Sequence, residues 1–236
     1  MNLIIALASA VAFALLLREP IRKFPVVFYV LAIAVDIVFL TQAISSFSAM
    51  AGRALFPFMQ QGLFAFGLLS VVMFIGVLPE GSRPKRYLRP VRGELSIIAS
   101  ILIVGHVLNY FQPIFMRAFM GAGVKASVFA GVALSVVLVV LLAVLTITSF
   151  RHVRNAMDAA MWKRVQLLAY PFYVLVFCHI MAMLMPAALS GAGRAVVVVV
   201  LYVVLLIAYA GLRLWRVSRD RGRSAAQAPQ EAEAAK

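Results

Sequence analysis

The sequence predicts an all-α, polytopic membrane helix bundle with about seven transmembrane helices. Of its 236 residues, 64% are hydrophobic and 13% charged, and the mean hydropathy is +1.02, a composition that no soluble domain of this length shares. The apolar residues are gathered into stretches at approximately 2–17, 25–47, 57–78, 95–113, 126–150, 164–188 and 195–214. Most are near the roughly 20 residues that a helix needs to cross about 30 Å of hydrocarbon. The connections between them alternate between rich and poor in Lys and Arg, which is the third sign of a membrane-spanning chain.

The first stretch is short and is followed, not preceded, by basic residues. That polarity is wrong for a cleaved signal peptide, so it reads as a span with the N-terminus outside. The second carries Asp36, and the third is apolar except for Gln60 and Gln61 near its start. The fourth holds Gly105 and His106, while the fifth has no charged residue before Arg151. The sixth holds Tyr170, Cys178 and His179, and the seventh leads into a tail from about Ser218 to Lys236. Residues 1–217 are therefore expected to form the bundle. The tail is too poor in apolar residues to order itself and is expected to be a disordered cytoplasmic end.

Charge sets the orientation. Eighteen of the 22 basic residues fall in every second connection and the tail, leaving only Arg53, Arg117, Lys125 and Arg194 on the other side. The rich side is expected to be cytoplasmic, with the C-terminus inside and the chain multi-pass in the cell inner (plasma) membrane. The net charge of +14 is then a topology signal reinforced by attraction to anionic headgroups, which leaves no case for nucleic acid as a partner. The single cysteine, Cys178, excludes an intrachain disulfide, and no CxxC or CxxCH pattern is present to hold an iron–sulfur cluster or attach a haem covalently. No Gly-rich phosphate-binding fingerprint stands in the chain, so electrons for any redox chemistry would come from another molecule.

Ionisable side chains in hydrocarbon are costly and point to function by default. His106 follows Arg92 by 14 residues and His179 follows Arg164 by 15. At about 1.5 Å per residue, both are expected some 21–23 Å from the inner boundary, on helices that run the same way. Two imidazoles at one depth could grip the two faces of a haem, with Gly105 leaving room for the macrocycle and Arg117, Lys125 or Arg194 facing its propionates. The plainer reading is that each histidine bonds a carbonyl or hydroxyl of a neighbouring helix. Asp36, 13 residues past Lys23, falls at the same depth and is a candidate proton relay or hydrogen-bond partner of a ligand; its plainer role is again a helix–helix bond. Gln42, Gln60, Gln61, Asn109 and Gln112 stand toward the outer ends of their spans and could line a quinone or docking pocket. Tyr170, Phe172, Tyr173 and Phe177 could pack on a porphyrin or simply form core.

Thr148, Ser149, Trp162, Tyr170 and His179, in that order and spacing, resemble the signature of the ferric reductase-like transmembrane family. The likeness is strongest to its bacterial haem-binding branch, typified by the membrane subunit of the periplasmic methionine sulfoxide reductase system. Arg92, Leu95 and His106 are similar to an earlier helix of that family, with Ser96 where glycine is usual. The resemblance covers approximately residues 57–190. It implies a b-type haem held by His106 and His179, with Tyr170 and Gly105 close to the cofactor. Gln166 stands where the family commonly has a second, inner histidine, so the resemblance implies one haem rather than two.

The expected function is a b-type haem electron-transfer subunit, the membrane component of an oxidoreductase system. Its expected donor is quinol or a cytoplasmic flavin reductase, with quinone or FMN as a possible further cofactor at the inner face. Its expected acceptor is an extracytoplasmic reductase, a flavoprotein or molybdoenzyme. The alternatives are direct metal-ion reduction at the outer face and, in a different class, a non-redox seven-helix sensor, transporter or assembly scaffold.

Overall fold

In a computed structural model, residues 2–43, 56, 58–120 and 126–234 are described, without the side chains of 112, 115, 118, 119 and those beyond 221. Arg53, Lys125, Lys236 and the end of the second apolar stretch lie outside the described residues, as does the side chain of Gln112. All regular structure among the described residues is helical. The helices are α1 (Asn2–Leu16), α2 (Arg18–Lys23), α3 (Pro25–Leu40), α4 (Leu63–Val77), α5 (Arg83–Leu88), α6 (Arg92–Phe119), α7 (Ala126–Ile147), α8 (Arg151–Ala156), α9 (Ala159–Gln166), α10 (Ala169–Leu189) and α11 (Gly193–Ala234). Each of the seven apolar stretches carries a helix over its described residues, since in an apolar medium the backbone has no better hydrogen-bonding partner than itself.

Four helical segments are long and apolar enough to cross a membrane: Arg83–Phe111, Ala126–Ile147, Ala159–Leu189 and Gly193–Arg221. α1, α3 and α4 are equally apolar but contain only 15, 16 and 15 residues. The outward faces suit a lipid bilayer. Val26, Val30, Ile33 and Ile37 on α3, like Val136 and Val140 on α7, leave roughly half or more of their surface uncovered, a pattern expected of helices whose solvent is acyl chain.

α4 is the axis of the bundle, with twelve of its 15 residues buried. It packs on α1 and α6, α3 covers α6 from outside, and α10 lies between α7 and α11. The α1–α4 crossing is close because both sides are small there: Ala6, Ala10 and Ala14 are fully buried, and a Cβ on Gly67 would stand 2.9 Å from the Ala10 methyl, the small-residue packing that helices use where lipid offers no hydrophobic drive. An aromatic cluster joins α4, α10 and α11, with Phe66, Tyr173, Phe177, Tyr202 and Tyr209 in edge or stacked contact. The Tyr173 hydroxyl, fully buried, donates to Ser70 Oγ at 2.9 Å. Tyr173 and Phe177 are thus core residues, as the plainer reading had them.

The backbone of α11 runs helically to Ala234. Its Ala, Arg, Gln and Glu residues are strong helix formers, and extending an existing helix avoids the cost of nucleating a new one.

Candidate functional site

α6 and α10, which carry the two histidines, have no extensive packing on one another; α7 touches both, and α4 packs on α6 and reaches α10 through Phe66 and Ser70. His106 projects from α6 toward the segment that precedes α4. Its Nδ1 lies 2.7 Å from the Gln60 carbonyl oxygen. Gly62, with φ of +62°, turns the chain there, and a Cβ at that position would meet the His106 ring at 3.4 Å. The left-handed turn aims the Gln60 carbonyl inward, and glycine adopts that turn without the steric cost of a side chain. Tyr110, one turn on from His106, leans over the imidazole with ring centroids 5.1 Å apart.

His179 makes the corresponding arrangement across α10 and α7. Its Nδ1 is 3.1 Å from the Gly131 carbonyl oxygen and 3.3 Å from Ser135 Oγ, while the Ser135 hydroxyl itself donates to Gly131 O at 2.9 Å. The packing is tight, since a Cβ on Gly131 would overlap the Met183 methyl. A carbonyl oxygen only accepts, so in both histidines Nδ1 carries the hydrogen and Nε2 keeps its lone pair. Fixing one nitrogen on a backbone carbonyl is how proteins orient a ligating imidazole and set its tautomer. The donor chemistry of this pair, two imidazoles each with Nδ1 on a backbone carbonyl and Nε2 left unprotonated, is that of nitrogen ligands to iron.

Asp36 reaches the same level from α3. It is 7% exposed, and its Oδ2 accepts from the Gly105 N–H at 3.2 Å, while Oδ1 has no hydrogen-bond partner among the described residues. A Cβ on Gly105 would overlap this carboxyl. The room left by Gly105 is therefore filled by Asp36 and is not open to a macrocycle, because the bare face of Gly105 looks toward α3.

Tyr170 is on the inner side of α10, nine residues and so about 13 Å before His179. It lines a cavity of about 560 Å³ between α4, α6, α7, α9, α10 and α11, and the Arg213 guanidinium lies over its ring, 4.5 Å from the centroid. The residues around it join the inner ends of the helices. The Trp162 indole N–H donates to Thr148 O at 2.9 Å, and Gln166 Nε2 donates to Thr148 Oγ1 at 3.0 Å. Ser96 Oγ donates to Gly93 O at 2.7 Å and lies 3.3 Å from Ser149 Oγ. Thr148, Ser149, Trp162 and Gln166 thus converge at one point, where α9 is tied to the end of α7. Arg117 and Arg194, the candidates for facing haem propionates, are exposed. Among the described residues no group of three or more His, Cys, Asp or Glu is gathered as a metal site. Cys178 faces outward from the bundle.

The partners of the imidazoles were only partly foreseeable. Gln60 stood out as a polar residue in an apolar stretch, but its backbone carbonyl, not its amide, meets His106. The Gly131–Ser135 pair is a small–polar couple at helical spacing, a signal of close helix approach that names no partner.

The chain is 34% identical over 217 residues to an uncharacterized protein of Treponema pallidum (strain Nichols), a match that takes in 91% of this chain and 60% of that protein. The chain thus spans about three fifths of that relative's length. No protein-family model matches the chain, and neither does any solved structure.

Proposed function

We propose that the protein is a b-type haem membrane subunit that passes single electrons across the bilayer to an extracytoplasmic reductase. The observation that carries this is the matched pair His106 and His179, each with Nδ1 tied to a backbone carbonyl and Nε2 left as a free donor atom. The ferric reductase-like signature of Thr148, Ser149, Trp162, Tyr170 and His179 supports it, and Gln166 in place of an inner histidine supports a single haem. Bound, haem b would supply a one-electron carrier at that level. The chain's own residues do the rest. The carbonyls of Gln60 and Gly131 hold the imidazoles in one tautomer, which makes each Nε2 the stronger base toward iron. Asp36 Oδ1, buried and without a partner, is an atom at which a proton can rest close to His106.

Seven spans, with N-terminus outside and C-terminus in the cytoplasm of a plasma membrane, complete the proposal. They rest on the alternation of basic connections and on the seven apolar helices. The donor is then quinol or a flavin reductase at the cytoplasmic face, and the acceptor a flavoprotein or molybdoenzyme outside. The non-redox scaffold is the second reading, favoured by the same histidine bonds, which also serve to hold α6 to α4 and α10 to α7. The two part on mutation. Under the proposal His106→Ala and His179→Ala each lose the low-spin six-coordinate haem spectrum, while Gln166→Ala keeps it. An unchanged haem spectrum in both histidine variants overturns the ligand assignment.

A further inference from the structure

At the inner end of the bundle the cavity of about 560 Å³ is bordered by seven basic residues and a single acid, Glu80. Glu80 is already shared: Lys85 Nζ stands 2.5 Å from its Oε1 and Arg216 Nη2 2.6 Å from the same atom. That leaves Arg89, Arg92, Arg154, Lys163 and Arg213 around one opening with no carboxylate partner among the described residues. Arg92 is half-buried there and makes no side-chain hydrogen bond, although gathering cations without a counter-charge raises their mutual repulsion. A second concavity of about 430 Å³, lined by Arg89, Arg154, Gly93, Glu94 and Ser149, adjoins the first through shared residues; its Glu94 is taken by Arg151 at 2.6 Å. The deeper wall of the main cavity is of opposite character. Leu69, Val72 and Ile75 of α4 and Leu142 and Leu145 of α7 line it, and they continue toward the apolar length of the bundle.

We propose that this cavity is a binding site for one anionic phospholipid, with its phosphate among Arg89, Arg92, Arg154, Lys163 and Arg213 and an acyl chain along the α4–α7 wall. Basic pockets between membrane helices at the headgroup level recognise anionic lipids by this combination of charge and depth. Guanidinium groups suit the phosphate oxygens, which they can engage through two parallel N–H donors. A soluble phosphate would have use for the cations but none for the aliphatic wall, and a neutral lipid the reverse. The proposal does not depend on haem. It rests on the charge cluster, the wall and the bilayer setting.

The test uses the full-length protein in nanodiscs of phosphatidylcholine, titrated with spin-labelled phosphatidylglycerol, with inorganic phosphate and FMN as competitors. The expected result is saturable immobilisation of about one phosphatidylglycerol per chain that neither competitor displaces. Arg92→Gln and Arg213→Gln should each weaken it by about five-fold, the weight of one basic side chain near an anionic surface. Arg22→Gln, a basic residue paired with Glu19 away from the cavity, should leave it unchanged. Helix content by circular dichroism identifies a variant that has unfolded, and the other cavity variant then decides. The proposal is overturned if folded Arg92→Gln and Arg213→Gln bind the lipid as tightly as the parent, or if phosphate or FMN displaces it. A change in the haem spectrum has no bearing on either outcome.

Discussion

Gly105 shows how one residue can be identified correctly as a point of close approach and assigned the wrong neighbour. The sequence marks it as a gap beside His106, but nothing in a single chain says which way a helix is turned, and the structure fills the gap with the Asp36 carboxyl. Gly105→Ala should therefore cost stability by overpacking, of order 1–3 kcal/mol, and should shift His106 through its own helix. Thermal unfolding of the purified variant would register the first effect and the haem spectrum the second; an unaltered melting temperature would mean that α3 is not seated on α6. Gly62→Ala tests the same imidazole from its hydrogen-bonded side. Here the left-handed φ of +62° charges an L side chain about 1–2 kcal/mol, and relaxing that turn moves the Gln60 carbonyl away from Nδ1. The shared level of Asp36 and the Gly105–His106 turn was legible from helix rise alone. The carbonyl partners of the two imidazoles were not, because backbone carbonyls carry no sequence signature.

Helices were read with fair accuracy from apolar runs, since a run of some twenty residues without charge has no alternative structure in a bilayer. The short helices α8 and α9 between Arg151 and Gln166 were not anticipated. They are polar, and α9 is set by a local device, the Asp158 side chain accepting from the Met161 N–H at 2.9 Å. The inner tie between elements is also local chemistry: Glu80 between α4 and α5 accepts from Lys85 and from Arg216 of α11, whose guanidinium also reaches the Gly76 carbonyl. The Lys85 hydrogen bond holds the Glu80 carboxyl below its ordinary value of 4.5, and the charges of Lys85 and Arg216 act in the same direction. A depressed carboxylate pKa contributes stability above the unfolded value, and that contribution is lost as pH falls through the folded one. Amide protection factors across residues 78–88, taken relative to the intrinsic exchange rate at each pH, should accordingly be high at pH 7 and fall below about pH 4, whereas Glu80→Gln should show the low values at both. Equal protection of the parent at the two pH values would remove Glu80 from this role.

For the molecule as a whole, the alternation of basic connections predicts that the C-terminal part of α11 faces the cytoplasm and Asn2 the exterior. Replacing Cys178 by Ser and placing single cysteines at Ser224 or Asn2 allows labelling of intact cells with a membrane-impermeant maleimide. Asn2→Cys should label and Ser224→Cys should not; the reverse pattern would invert the orientation. The three apolar helices of 15 or 16 residues are short for a full crossing at about 1.5 Å per residue; α4 is buried at the centre with α1 against it, while α3 covers α6 from outside. What composition could not show was how the interior is lined: His106 and His179, each tied to a neighbouring segment through a backbone carbonyl, and a separate cavity bordered by Arg89, Arg92, Arg154, Lys163 and Arg213. The first of these carries the functional claim. The most direct measurement is the optical spectrum of the purified protein in detergent before and after dithionite, with haem counted per chain. The account predicts a reduced low-spin b-type spectrum and about one haem per chain. Absence of haem after expression with adequate haem supply would contradict it and leave the bundle as a scaffold whose histidines only hold helices together.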